Sequence, residues 1–225
     1  MWEPHDLLPW VVHVIFGWAA MGGAIVALST AKGSHAHKLG GRIFVFPMAV
    51  AALTAITFVG EVAGPLVYVM SAATIYLLAT SVLAIRNQVG AAPWLEKALI
   101  VIPIALTAFS AMFFMRNLQA GNLGLLFGPA LYTVVFLILV VGDIRLFLNR
   151  PADPTVWIKR HLFRMLLAFA FAVRALFSIG VDVGLPFEVA VTAPIILALI
   201  ATVWFQRRVD AQNGRKPEAA AADAS

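Results

Sequence analysis

The sequence predicts an all-α integral membrane protein, a bundle of seven transmembrane helices with its amino terminus outside and its carboxyl terminus in the cytoplasm. Three observations carry that reading. The chain is cut into seven apolar stretches, each near the roughly 20 residues that a helix needs to cross about 30 Å of hydrocarbon. Of its sixteen Lys and Arg residues, all but Arg116 and Arg174 fall in alternate gaps between those stretches, near their ends or in the tail, and basic residues are retained on the cytoplasmic side. The composition, 62% hydrophobic and 12% charged with a mean hydropathy of +0.92, lies outside that of ordinary soluble domains.

Taken in order, the spans cover residues 7–30, 42–60, 65–86, 96–115, 124–147, 159–180 and 186–206. Glu3 and Asp6 precede the first, where a secretory signal would carry Lys or Arg, so that helix is expected to be retained. Lys32, Lys38 and Arg42 fill the first gap, Arg86 and Lys97 the third, and Arg145, Arg150, Lys159 and Arg160 the fifth, with Arg164 one turn further on. Arg207, Arg208, Arg215 and Lys216 follow the last span, whereas the intervening gaps hold only Arg116. A β-barrel is disfavoured, because barrel strands are about 10 residues long with alternating polarity.

Trp10 on the outer side, and Trp94, Trp157 and Trp204 on the inner side, fall where indoles favour the headgroup level. Pro47, Pro103, Pro129 and Pro194 lie inside predicted spans and are expected to kink them. Ala19, Gly23 and Ala27 form a small-residue ladder for close packing within the chain, a homodimer seam being the alternative. Residues 1–207 are read as the transmembrane domain and 208–225, polar and Ala-rich, as a disordered cytoplasmic tail.

Several classes of function drop out. Cys is absent, which excludes disulfides, thiolate metal sites and cysteine nucleophiles. The formal charge of +5 does not point to nucleic acid, because the basic residues flank helix ends. They suit membrane lipids instead, at about 1 kcal/mol per Lys or Arg near an anionic surface. No Ser, His and Asp arrangement of a hydrolase is apparent, two loop imidazoles at His35 and His37 are too few for zinc, and Met112 and Met115 read as packing. No catalytic residue and no metal is assigned, and the reading leans away from an enzyme.

Charge inside hydrocarbon is costly, so polar residues that persist there face the bundle interior and find partners. An outer group comprises His13 and Arg174 at similar depth, with Glu61, Asp182 and Glu188 at outer helix ends; Arg174 is expected to pair with Glu61 or Glu188. An inner group comprises His37, Arg42, Asp143, His161 and Arg164, with Asp143 expected to pair with Arg164 or His161. The leading functional expectation is a binder or transporter of a small anionic or carbonyl-bearing ligand, in which Arg174 holds the ligand, Glu61 or Glu188 is the counter-ion and His13 exchanges a proton. It needs no cofactor. A second expectation is a redox protein with haem b ligated by His37 and His161, and a third is a scaffold or assembly subunit with a membrane partner.

Two segments, Lys32-Gly-Ser-His-Ala-His37-Lys-Leu-Gly-Gly-Arg42 and Lys159-Arg-His161-Leu-Phe-Arg164-Met165, resemble, together with His13, a prokaryotic family of multi-pass membrane proteins classed as a domain of unknown function. His13, His37, Gly40, Arg42, His161, Arg164 and Met165 are the matching positions. The resemblance implies a bacterial cytoplasmic membrane and no particular activity. The boundary histidines also give a looser likeness to transmembrane cytochromes of the b561 and ferric reductase kind, which differ in carrying histidine pairs within their spans.

Overall fold

The computed structural model describes residues 7–58, 65–87, 93–149, 151–177 and 184–222, and among them the chain is helical throughout, without strands. Its elements are α1 (Leu7–Ser29), α2 (His35–Phe58), α3 (Pro65–Asn87), a short α4 (Pro93–Leu99), α5 (Val101–Gln119), a 3₁₀ turn (Leu123–Leu125), α6 (Phe127–Leu148), α7 (Pro154–Ala175) and α8 (Phe187–Ala222). Six of the long helices are apolar enough to cross a membrane. Large apolar side chains such as Ile15, Phe46, Leu137 and Leu197 are at least half exposed, the outward arrangement expected where lipid is the solvent.

Helices α1 and α2 form an antiparallel hairpin whose backbones meet at two glycines. A Cβ on Gly23 would lie 2.7 Å from the Phe44 backbone nitrogen, and one on Gly40 would lie 2.8 Å from the Gly23 oxygen. The small-residue face therefore serves packing within the chain, and it runs through Ala20, Gly23 and Ala24, while Ala19 is exposed. Helix α3 is the central element: Ala73, Tyr76, Leu77 and Ala84 are fully buried, and α3 packs against α2, α5 and α7. Tyr132 and Phe136 of α6 stack with Phe171 of α7, at centroid separations of 6.0 to 6.3 Å.

Helix α7 lacks the apolar composition of the other six because it carries Lys159, Arg160, Arg164 and Arg174. Its apolar face, including Leu167, Ala168 and Phe171, is buried, and so are Arg160, Arg164 and Arg174. The charge is turned into protein, which is how a charged helix is tolerated in a bundle of this kind. Asp153 caps α7, its side chain accepting from the Thr155 N–H at 2.8 Å, and Pro154 follows at the first helical position, where the missing proline N–H costs nothing.

Two expectations, at Pro129 and Trp157, are corrected. The fourth predicted span is interrupted at Ile100, between α4 and α5. That break lies just before Pro103, where a kink is expected, whereas Pro129 sits at the third position of a helix, in a first turn that has no intrahelical donor to lose; Pro47 lies inside α2. Helix α8 runs on as far as Ala222, and Asp210 within it forms an ion pair with Lys159. Finally, Trp157 is no headgroup anchor. It is buried, and its indole N–H donates to the Pro151 carbonyl at 3.3 Å.

Candidate functional site

Arg160 and Arg164 are one turn apart on α7, so they share a face, and that face meets α6 at Asp143. One carboxylate oxygen of Asp143 accepts from Arg164 and, at 3.0 Å, from Arg160; the other accepts from the Tyr76 hydroxyl of α3. Arg160 donates in addition to Glu96 of α4 at 2.6 Å. Two guanidiniums are thus balanced by two carboxylates in a mostly buried chain. The Arg164 guanidinium also lies over the Tyr76 ring, 5.2 Å from its centroid. A cavity of about 220 Å³ opens beside Asp143, Arg160 and Glu96.

His161 does not join Asp143. One residue past Arg160, it is rotated about 100° around α7 and faces α3, where its Nδ1 lies 2.9 Å from the Ser81 hydroxyl and 3.1 Å from the Ser81 carbonyl. The Ser81 hydroxyl in turn donates to the His161 carbonyl at 3.2 Å. His37, on α2, places its Nδ1 2.9 Å from the Ala27 carbonyl of α1. A carbonyl only accepts, so Nδ1 carries a proton in both rings, and in the neutral form of such a ring the lone pair lies on Nε2. The two histidines lie at one depth. Phe44 meets Phe169 at 6.4 Å, and counting two turns back along each parallel helix arrives at His37 and at His161 with Leu162. They are close enough to interact electrostatically. Arg42 is exposed and joins neither group.

At the opposite end of the bundle, His13 repeats the arrangement, its Nδ1 2.8 Å from the Ala51 carbonyl. His13 and His37 therefore clamp the α1–α2 hairpin reciprocally, each to a carbonyl of the other helix. Arg174 is buried, but Glu188 does not come within ion-pair distance of it, which corrects one of its two expected pairings; Glu61 lies outside the described residues. Arg174 and Glu188 both lie near Tyr132, whose hydroxyl donates to the Val191 carbonyl at 2.9 Å. Arg174 Nε and Glu188 Oε2 are buried without a hydrogen-bond partner among the described residues.

Tyr76, Ser81, Glu96, Tyr132 and Trp157 were not among the candidate residues read from the sequence, and Arg160 was read there only as a topology charge. Its spacing from Trp157 and Arg164 is the one signal that would have found it, since all three share a face of α7. Comparison with family models, with curated proteins and with solved structures finds no match to this chain. The fold and the site define an all-helical chain whose six long apolar helices are compatible with a multi-pass membrane protein, with buried ion pairs and carbonyl-anchored histidines.

Proposed function

We propose that the chain resides in a bacterial cytoplasmic membrane, its basic end cytosolic and its amino terminus outside, and carries electrons through b-type haem held by His37 and His161. The observation behind this reading is the pair of imidazoles at one depth whose Nδ1–H groups are both committed to carbonyls. A carbonyl accepting from Nδ1–H sets the tautomer and ring orientation of a metal-ligating histidine. His37 of α2 and His161 of α7 would hold the iron; the two helices touch through Phe44 and Phe169, and α3 packs against both. Haem would supply one-electron transfer when bound. The chain's own part is to orient two Nε2 lone pairs, through Ser81 and the Ala27 carbonyl, and to keep water away with the two phenylalanines.

The test is an absorption spectrum of the detergent-purified protein from haem-replete cells. A Soret band that shifts on reduction and disappears in His37→Leu and His161→Leu is the expected result, and a colourless preparation rejects the proposal. A second reading, a small anionic or carbonyl-bearing ligand bound at the opposite end, is favoured by the unpartnered Arg174 Nε and Glu188 Oε2 beside Tyr132. Uptake of candidate anions by proteoliposomes tests it, and uptake unchanged in Arg174→Lys and Arg174→Leu counts against it.

A further inference from the structure

The cavity at the basic end belongs to neither histidine. Four of its lining side chains are charged, Glu96 and Lys97 from α4, Asp143 from α6 and Arg160 from α7, and the rest of the wall includes Phe147 and Trp157. Its volume of about 220 Å³ equals roughly seven water molecules at about 30 Å³ each, room for a small polar molecule or a lipid headgroup.

The charges differ in how far they are already committed. Both oxygens of Asp143 are engaged, by the two arginines and by Tyr76, and Arg160 is buried and spends two nitrogens on Asp143 and Glu96. Glu96 accepts from Arg160 through one oxygen only. Lys97 is exposed, its ammonium 4.5 Å from the centroid of the Phe147 ring. One carboxylate oxygen of Glu96 and the Lys97 ammonium thus remain outside the ion network, on a lining whose four charges cancel. A simple anion would meet two carboxylates there and a simple cation would meet two cationic side chains. A dipolar molecule complements both signs and leaves no charge opposite its like.

We propose that this cavity binds a zwitterion, a compact molecule with an ammonium set against Glu96 and a phosphate or carboxylate set against Lys97. Two sources share that chemistry, a free cytosolic aminophosphate or amino acid and the headgroup of an aminophospholipid entering from the bilayer. Neither requires haem, so this inference stands apart from the redox reading.

Calorimetry of the full-length protein in detergent against O-phosphoethanolamine, with ethanolamine and inorganic phosphate as single-charge controls, tests the free-molecule arm. Native mass spectrometry after mixing with phosphatidylethanolamine and phosphatidylglycerol in equal amounts tests the lipid arm. The expected result is binding of the zwitterion in at least one arm with clear preference over the single-charge probes. It should fall about tenfold in Lys97→Met, the loss of one hydrogen bond between charged groups. Because Lys97 lies outside the buried ion network, that variant is expected to fold, and Glu96→Gln provides the complementary loss at the ammonium. Equal binding of phosphate or ethanolamine alone, no preference for phosphatidylethanolamine with no O-phosphoethanolamine bound, or binding unaffected by Lys97→Met would each overturn the proposal.

Discussion

Asp143 is the acceptor on which the buried basic end depends, because Arg160, Arg164 and Tyr76 all donate to it. Breaking a buried ion pair from one side leaves an uncompensated charge, typically at a cost of about 3–5 kcal/mol. Asp143→Asn should therefore lower the unfolding free energy by about that amount, measured by denaturant titration in mild detergent, and a loss below about 1 kcal/mol would mean that water already screens the two arginines. Asp153 offers a contrast at the protein surface. The Thr155 backbone N–H holds its carboxyl below the ordinary value of 3.8. Its contribution to stability is present above that value and is lost as the pH falls through the depressed one. The stability difference between the wild type and Asp153→Ala should accordingly be constant near neutrality and shrink only in strong acid; a difference that instead grows on acidification would contradict the cap.

Among the elements, the α1–α2 hairpin is held by backbone proximity and by its two histidine clamps. A Cβ at Gly23 or Gly40 would press on backbone atoms that cannot move aside. Gly23→Ala and Gly40→Ala should each destabilise by about 1–3 kcal/mol, the usual cost of overpacking. Gly22, on the same helix, has open space around its Cβ position, so Gly22→Ala should be neutral or stabilise by up to about 1 kcal/mol through helix propensity. Thermal melts of the three variants decide this, and equal losses at all three would show that the hairpin is looser than described. Helix α7 takes its place for a different reason: its three buried arginines make it the helix least able to face lipid, so its charged face is turned onto its neighbours, as Arg160 and Arg164 are onto Asp143 of α6.

For the molecule as a whole, orientation is the property that charge placement bears on most directly. Reporter fusions after Lys38, Gly60 and Gln212 should behave as cytosolic, external and cytosolic respectively, and the reverse pattern would exchange the sides of both ends of the bundle. Much of the fold was legible in the chain. The apolar runs locate the long helices, although α2 and α7 begin at His35 and Pro154 rather than at 42 and 159, and the fourth breaks at Ile100. The site was less legible. Asp143 and Arg164 could be matched by depth, but depth does not specify rotation about a helix axis, and that rotation sends Arg160 to Asp143 and His161 to Ser81. Glu96 and Tyr76 carried no signal of their partners, since neither has a charged residue at helical spacing.

Solvent is what separates the two kinds of information. Transfer between lipid and water acts on each segment by itself, so length and hydropathy alone determined which stretches form long apolar helices and where the basic residues cluster. Which polar groups meet inside the bundle depends on the rotation and packing of helices far apart in sequence, and only the tertiary structure decided it: α3 stands between α2 and α7, the Asp143 carboxylate serves two arginines, and the imidazole Nδ1–H groups end on carbonyls of neighbouring helices.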